Sequence, residues 1–342
     1  MKEKDVYDSK PWLKHYPEGI PSSIKYEEIC LHDMFERTAL QYPDRDALIF
    51  QGFRMKYSEV SEKVNALASF LATAGIKKGD VVAVLLPNMI QTVITYYAVL
   101  KLGAVIQMNN PLYTDRELEY QFNDSGAKML VTLDLLANRM IALRKNTKIE
   151  RIIYTSMGDY LPPVKKLLIK LVGKKKGLRA DVNPAEKVYK WLDAVSFING
   201  VPDVKVSFDD TAVYQYTGGT TGQSKGAVLT HRNLCSMVQM YGAWFPTLNR
   251  GDEVLIAAAP VFHVLGMSAA MNLPMYMGWT AVMVPKPQPV DLLAATRKYR
   301  PTVCSMVPTM YVFMLQHPDL KKTDMSCYKV LTSGGSSLPV EV

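Results

Sequence analysis

The chain has 342 residues, of which 48% are hydrophobic and 21% are charged, so it is long and apolar enough for about two folded domains. Its net charge of +8 suits a phosphate-rich small molecule, an anionic membrane or a nucleic acid, and charge alone selects none of them. The four cysteines, at positions 30, 235, 304 and 327, form no C-x-x-C pair, which argues against a disulfide framework or zinc knuckle and favours a reducing cytoplasm.

The first half of the sequence alternates helices with short apolar strands. Residues 1–12 contain no apolar signal-peptide run, so no secretory signal is predicted. A helix at 31–42 and a strand at 47–50 are followed by a helix from Ser58, whose hydroxyl suits an N-cap, to Ala74. Further strands and helices are expected at 81–86, 90–102, 104–108, 115–124, 129–132 and 152–155. This alternation predicts a parallel sheet covered by helices on both faces.

The composition changes between residues 160 and 203, where a lysine-rich segment precedes a looser polar stretch. We place the boundary between two α/β halves in this region. Residues 51–205 are expected to form the first half and residues 206–342 the second, with residues 1–50 packing against the second half. The predicted fold class is therefore α/β.

A basic amphipathic helix is predicted in the lysine-rich segment. It places lysines opposite apolar side chains, namely Lys166, Lys170 and Lys174 against Leu167, Leu168, Leu171 and Val172. One interpretation is that residues 164–179 contact an anionic membrane on its inner face, where each lysine adds ~1 kcal/mol. The other is a solvated helix that packs on the sheet. A nucleic-acid partner is not expected, because no aromatic side chains are interleaved with these charges.

The run from 254 to 285 has no Asp, Glu, Lys or Arg and is long enough to span a bilayer. It is interrupted at Pro260, Gly266, Pro274 and Gly278. A strand at 253–259, a helix at 265–277 and a strand at 280–284 are therefore expected instead of a transmembrane helix.

The most informative segment is the loop Thr217-Gly-Gly-Thr-Thr-Gly-Gln-Ser-Lys-Gly226 between β-type runs at 211–216 and 227–230. Its glycines expose backbone N–H groups, its threonines add hydroxyls, and Lys225 adds a mobile positive charge. A plain hairpin turn is the alternative, but such turns are usually shorter, so the composition favours a cradle for nucleotide phosphates. A Walker A loop is disfavoured, because Ser224 precedes the lysine and Gly226 follows it.

With its flanks, this loop resembles the phosphate-binding loop of the adenylate-forming superfamily, which includes acyl-coenzyme A synthetases, luciferases and the adenylation domains of peptide synthetases. Gly218 and Ser224 stand where the commonest version has serine and proline, and these variants are similar to long-chain fatty acid ligases. The resemblance implies nucleotide contacts from Tyr216, Thr217, Gly218, Gly219, Thr220, Thr221, Gly222, Gln223, Ser224, Lys225, Gly226 and Ala227.

Other segments resemble the family in the expected order, beginning with Leu86-Pro-Asn88 and Asn110-Pro-Leu-Tyr113. Pro260-Val-Phe-His263 resembles the segment whose histidine lies beside the substrate carboxylate, so His263 is the candidate catalytic residue; a buried core histidine is the alternative. Val307-Pro-Thr-Met-Tyr311 resembles a segment before the acyl pocket. The resemblance also implies adenine contacts from Gly334, Gly335 and Ser336, and substrate contacts from His263, Val264, Gly266, Met267 and Thr309.

The resemblance implies the large domain of an adenylate-forming enzyme, with two stacked sheet halves in αβαβα layers. The complete enzyme would convert a long-chain fatty acid, ATP and coenzyme A to acyl-adenylate and then acyl-coenzyme A. Because the sequence stops after a glycine loop, residues 1–342 are expected to be an incomplete, inactive N-terminal AMP-binding domain. The Mg²⁺ ligand is expected in the missing part, with no metal site here.

Several alternatives stay open. A ligase for medium-chain or aromatic acids would carry the same loop, and a non-catalytic nucleotide-binding or acyl-binding module would explain the loop without turnover. We expect a cytoplasmic protein, peripheral on the inner face of the membrane if the basic helix binds lipid, and a homodimer is one option for its assembly.

Overall fold

The computed structural model describes residues 7–218 and 222–342. Within them the strands are β1 (Asp46–Phe50), β2 (Phe53–Lys56), β3 (Val81–Leu85), β4 (Val105–Met108), β5 (Met129–Leu133), β6 (Arg151–Thr155), β7 (Val188–Lys190), β8 (Thr211–Thr217), β9 (Lys225–Thr230), β10 (Val254–Ala257), β11 (Thr280–Met283), β12 (Val303–Met306) and β13 (Val330–Ser333). The α-helices are α1 (Leu31–Gln41), α2 (Tyr57–Thr73), α3 (Ile90–Lys101), α4 (Asp115–Ser125), α5 (Asp134–Leu143), α6 (Pro163–Val172), α7 (Trp191–Ala194), α8 (His231–Trp244), α9 (Leu273–Met277), α10 (Pro289–Tyr299) and α11 (Pro308–Gln316). Single turns of 3-10 helix lie at Pro11–His15, Arg144–Asn146 and Pro318–Lys322, and a π-helix lies at Gly266–Asn272.

The first sheet has the strand order β7-β6-β5-β3-β4-β8-β9. Its neighbouring strands are parallel except for β8 and β9, which pair antiparallel. Alternate residues of β3 face different cores: Val82 and Val84 face one, and Val81, Ala83 and Leu85 face the other. Both faces of this strand are therefore covered, as the unbroken apolar run predicts.

The second sheet has the order β13-β12-β10-β11-β1-β2. The N-terminal strand β1 lies parallel to β11, with Leu48 opposite Ala281, and β2 pairs antiparallel with β1 at the edge. Strand pairing thus places residues 46–56 in the second sheet.

The predicted division at residue 205 does not coincide with sheet membership. Strand β8 pairs with β4 of the first sheet, with Ile106 opposite Val213, so the glycine-rich loop belongs to the first sheet. Conversely, β2 lies within the predicted first half but joins the second sheet. Local composition does not encode which sheet a segment joins, because pairing between distant strands decides it.

Helix α3 lies between the two sheets and holds them together. It contacts β3 and β4 of the first sheet and β1 of the second, and Ile90 to Leu100 are all buried. Tyr97 stacks on Phe35 of α1 with ring centroids 4.5 Å apart, and its hydroxyl donates to Asn272 Oδ1 at 3.0 Å. The two stacked halves predicted from the sequence are therefore confirmed, with a shared helical layer between them.

The uncharged run forms the expected strand–helix–strand, and no helix in the described parts of the chain is long and apolar enough to cross a bilayer. The helix differs in type, because its first part, Gly266–Asn272, is a π-helix. Pro274 lacks the N–H that would continue an α-helical ladder, which is consistent with the wider turn before it.

Two local predictions were wrong or incomplete. Helix α2 begins at Tyr57, and the Ser58 hydroxyl donates to Pro43 O at 2.8 Å instead of capping the helix. Instead, the Glu59 carboxylate accepts a hydrogen bond from the Lys56 N–H at 2.7 Å, so this backbone donor at the start of the helix has a partner. Helix α5 was not predicted, because it follows β5 directly with no turn residue between them.

The start of α8 is tied to the start of α1 by a buried histidine. His231 Nδ1 accepts from the Leu31 N–H at 3.2 Å, while His231 Nε2 is buried without a hydrogen-bond partner. The pKa of His231 is lowered to about 4, mainly by burial, with smaller contributions in the same direction from the nearby His32 and Lys78 and an opposing one from Asp210. His231 is therefore neutral in the folded protein at pH 7.

This burial predicts a pH-dependent stability. Between pH 6.5 and about pH 4 the unfolded chain binds a proton at His231 that the folded chain does not, so the free energy of unfolding falls as the pH falls through this range. We expect wild type to lose roughly 2–3 kcal/mol more than His231→Asn between pH 7.5 and 4.5 in urea denaturation. The Asn side chain keeps an acceptor for Leu31. His15→Asn, at an exposed position, is the control and should follow wild type; an equal loss in the His231 variant would contradict the prediction.

Candidate functional site

The glycine-rich loop lies at the carboxyl edge of the first sheet. Strands β8 and β9 form its two arms and pair through Tyr216–Gly226 and Thr217–Lys225. Because β8 runs parallel to β4, the loop follows the carboxyl end of a parallel strand, the edge where open α/β sheets bind ligands.

The loop is open around Gly218 and Gly222. Gly218 and Gly222 have no atom within 4 Å of where a Cβ would stand, and Gly222 has φ +103°, which favours glycine. Lys225 is exposed, Ser224 is partly buried, and the Thr217 hydroxyl donates to Lys225 O at 3.5 Å. Of the predicted contacts, Gly219, Thr220 and Thr221 lie outside the described residues.

The base of the loop is closed by a tyrosine. The Tyr216 ring lies where a side chain at residue 226 would point, with its Cζ 3.2 Å from the position of a Cβ. Gly226 is therefore required for this close approach, and Ala227 follows it opposite Gln215. Tyr216 itself is 5% exposed, so it supports the loop from below.

A hydrogen bond joins the loop strand to the predicted carboxylate-binding segment. Gln215 Nε2 donates to Phe262 O at 3.0 Å, next to His263. His263 lies on a turn closed by its N–H to Pro260 O at 3.0 Å, and its side chain is exposed. Desolvation lowers the pKa of His263 below its ordinary value, so the imidazole is neutral at pH 7. The alternative of a buried core histidine does not hold.

The predicted substrate residues separate into exposed and buried groups. His263, Val264 and Thr309 are exposed, whereas Gly266 and Met267 are buried. A Cβ at Gly266 would stand 2.1 Å from Pro260 O, so this glycine permits the turn to close. Met267 is 0% exposed, which makes it a core side chain in this chain.

The second glycine loop lies at the carboxyl edge of the second sheet. Gly334 follows β13, its N–H donates to Met306 O at 3.2 Å, and a Cβ there would meet Leu265 at 3.2 Å. Gly335 has φ +89° and approaches Val307. The segments 260–266, 306–309 and 334–336 are therefore brought together at one edge.

Asn88 is a supporting residue to which the sequence assigned no role. Its side chain Nδ2 donates to Ala257 O and Ala259 O, each at 2.9 Å, and its Oδ1 accepts from the Val261 N–H at 2.9 Å. Asn88 follows a strand of the first sheet and fixes the turn after β10 of the second. Its position directly after an apolar strand and a proline was the available signal.

The described residues contain no group of three or more His, Cys, Asp or Glu side chains that could hold a metal ion. The loop instead offers hydroxyl groups, backbone N–H groups and one lysine. This donor set fits phosphate oxygens, and it lacks the one or two carboxylates through which proteins usually hold Mg²⁺ beside a phosphate.

Comparisons with known proteins give the same architecture. The model of the family described as AMP-binding enzyme matches residues 35–342. The chain is 37% identical over 341 residues to a long-chain-fatty-acid–CoA ligase of Bacillus subtilis, covering 98% of this chain and 60% of that protein. It is 32% identical over 344 residues to the ligase of that name from Escherichia coli O157:H7, covering 97% of this chain and 60% of that protein.

Among solved structures, a long-chain-fatty-acid-CoA ligase (FadD1) from Archaeoglobus fulgidus has a TM-score of 0.78 and 26% identity, covering 95% of this chain and 61% of that one. The chain thus spans about 60% of the length of these relatives. With a family model that matches nearly its whole length, this chain belongs to the AMP-binding enzymes.

Proposed function

We propose that this chain binds ATP and serves as the nucleotide-binding part of an AMP-forming ligase that converts a long-chain fatty acid to acyl-adenylate and then acyl-coenzyme A. The single observation that carries the proposal is the glycine-rich segment at the carboxyl edge of the first sheet, which is open at Gly218 and Gly222 and is tied through Gln215 to the segment that ends at His263. This arrangement supports a nucleotide and an acid meeting at one edge of the molecule.

The loop supplies charge and hydrogen bonds in this proposal. Lys225 and the backbone N–H groups contact the β- and γ-phosphates, and the Thr217 and Ser224 hydroxyls add donors. Attack of a carboxylate on the α-phosphate requires alignment and neutralisation of the charge on the phosphate oxygens. Gly218 and Gly222 leave the backbone accessible to a ligand, since nothing lies within 4 Å of their missing side chains.

His263 orients the acid in this proposal. A neutral imidazole donates one hydrogen bond to a carboxylate oxygen without forming an ion pair, so the carboxylate is fixed while it keeps its nucleophilic charge. The exposed Val264 and Thr309 are proposed to contact the substrate nearby. Gly334, Gly335 and Ser336 are proposed to lie against adenine.

Mg²⁺ and coenzyme A are proposed as the further requirements of the complete reaction. Mg²⁺ would neutralise triphosphate charge when bound, and no residue described here is assigned to it. The names of the bacterial relatives and the Gly218 and Ser224 loop variants support a long-chain acid as the substrate.

We also propose that helix α6 rests on an anionic membrane surface. Its apolar side chains are exposed: Val164 72%, Leu167 56%, Leu168 53%, Leu171 70% and Val172 38%. The helix is attached on its other side, where Ile169 packs on the core and Lys165 Nζ donates to Gln51 O at 2.7 Å.

The positive charges beside this apolar face indicate which kind of surface it would bind. Lys166 and Lys170 lie on the same helix, and Lys174, Lys175 and Lys176 follow it after Gly173. Lys174 pairs with Asp181, and the other four lysines leave a cluster of positive charge beside the apolar strip. An anionic bilayer satisfies both properties at once, because acyl chains accept the leucines and headgroups attract the lysines. Packing of the leucine face on the sheet, the alternative interpretation, is not supported by these exposures. The cytoplasmic leaflet and a homodimer remain hypotheses that follow from the sequence.

Replacement of Lys225 tests the nucleotide assignment. We expect Lys225→Ala to weaken ATP binding by about 10- to 100-fold, since a hydrogen bond to a charged group contributes about 1.5–3 kcal/mol. The affinity for AMP, which lacks the β- and γ-phosphates, should fall by less than about threefold. Isothermal titration calorimetry on the 342-residue chain measures both. Lys321→Ala, at an exposed position, is the control; equal losses for ATP and AMP would refute the role of Lys225.

The reaction itself is tested by pyrophosphate release. A ligase that contains this chain should release pyrophosphate from ATP fastest with long-chain fatty acids, and the 342-residue chain alone should give negligible acyl-coenzyme A. A preference for medium-chain or aromatic acids would overturn the substrate proposal. ATP binding without any acid-dependent turnover in the longer protein would favour a non-catalytic module.

Membrane contact is tested with vesicles. The double variant Lys166→Glu, Lys170→Glu should bind phosphatidylglycerol-containing vesicles at least about 30-fold more weakly than wild type, at ~1 kcal/mol per lysine. Leu167→Ser with Leu171→Ser should also weaken binding, because it removes the apolar contact. The charge-matched control Lys205→Glu, Lys321→Glu should bind like wild type in a co-sedimentation assay. Unchanged binding in the α6 variants would exclude this surface.

A further inference from the structure

We propose that Gln121 is a positioning residue that holds the Ser224 arm of the glycine-rich loop in its phosphate-binding arrangement. This inference rests on the proposed function of the loop. It concerns helix α4, whose residues neither the loop motif nor the catalytic segment includes.

The Gln121 side chain is buried and connects three parts of the first sheet. It is 1% exposed although it lies on an otherwise strongly polar helix. Its Nε2 donates to Ser224 Oγ at 3.2 Å, and its Oε1 accepts from Asn109 Nδ2 at 2.7 Å. Asn109 is fixed in turn, because its N–H donates to Val84 O at 2.8 Å. A continuous chain of hydrogen bonds therefore runs from the buried end of β3 to the loop.

The same helix holds the other arm of the loop. The Tyr216 hydroxyl donates to Asp124 Oδ2 at 2.5 Å and lies 3.3 Å from Gln121 O. Gln121 and Asp124 are three residues apart, so they occupy one face of α4. One turn of helix thus contacts the residue before Thr217 and the residue before Lys225.

This contact has a mechanical consequence for Lys225. Ser224 directly precedes the lysine, so the Gln121 hydrogen bond fixes the backbone at the point where the lysine leaves the loop. A proline at this position would restrict the backbone through its ring. Serine has no such restriction, and a buried amide that binds its hydroxyl supplies the restriction instead. In a buried polar network of this kind, loss of one member leaves its partners without hydrogen bonds.

The decisive experiment compares Gln121→Met, Ser224→Ala and the double variant. The methionine keeps the size of the side chain and removes its hydrogen bonds. We expect each single variant to weaken ATP binding by about 5- to 10-fold and AMP binding by less than about twofold, in calorimetric titrations of the 342-residue chain. Both single variants break the same hydrogen bond. The double variant should therefore bind ATP no more than about 10-fold more weakly than wild type.

The matched control is Asn123→Leu on the same helix, where the side chain donates to Asn146 O at 2.8 Å, away from the loop. It should bind both nucleotides like wild type. Multiplicative losses in the double variant, or the same ATP-selective loss in Asn123→Leu, would overturn the role of Gln121. If Gln121→Met fails to fold, Gln121→Asn, whose shorter side chain keeps the amide but withdraws it from Ser224 Oγ, decides the question instead.

A nucleotide-free measurement separates this inference from the proposed function. Hydrogen–deuterium exchange of the peptide covering 222–230 should be at least about threefold faster in Gln121→Met than in wild type or Asn123→Leu. A wild-type chain that binds no ATP would refute the proposed function, while the exchange result still decides whether Gln121 holds this arm. Unchanged exchange together with unchanged ATP binding would overturn the inference.

Discussion

The arrangement of the two sheets depends on the complete burial of helix α3. Ile90 to Leu100 have no face left for solvent, so the helix must be covered on all sides, and α1 and α2 provide that cover together with strands of both sheets. The aromatic and amide contacts of Tyr96, Tyr97 and Asn272 add directional bonds to this apolar layer. Because both sheets pack on one helix, their carboxyl edges are held at a fixed separation.

That fixed separation makes the site possible. The first sheet contributes the loop between β8 and β9, and the second contributes the turn at Pro260 and the glycines that follow β13. Only a few polar contacts cross between these parts, and Gln215 to Phe262 and Asn88 to the β10 turn are the clearest. Thr217 and Lys225 lie at the ends of β8 and β9, and Thr309 lies in the first turn of α11. His263, Ser224 and Gly334 lie on connections that these rigid elements support.

The sequence predicted the elements of this fold better than their partners. Apolar runs such as Val81–Leu85 and Met129–Leu133 were placed within two residues, because burial on both faces requires continuous apolar composition. Sheet membership was not predictable in the same way. The pairing of β8 with β4 and of β1 with β11 joins residues more than 100 positions apart, and no local pattern encodes it.

The candidate site shows the same division. Glycines, threonines and a lysine in one loop predict phosphate binding, since few other roles require that composition. The roles of Gln121 and Asn88 cannot be predicted in this way, because a polar residue on an amphipathic helix or after a strand normally occupies a solvent-exposed position. The π-helix escaped prediction for a related reason: the hydrophobic period identifies a helix and does not distinguish an α-helix from a wider one.

The Asn88 hydrogen bonds also make this part of the fold sensitive to deamidation. Loss of the side-chain amide nitrogen by deamidation would replace a donor with an oxygen of nearly the same size, and that oxygen would face the carbonyls of Ala257 and Ala259 at 2.9 Å. The two hydrogen bonds to these carbonyl oxygens would become two repulsive contacts, although the side chain would hardly change in shape. Deamidation of this buried side chain would therefore loosen the turn that precedes His263 while the surface of the protein stayed unaltered.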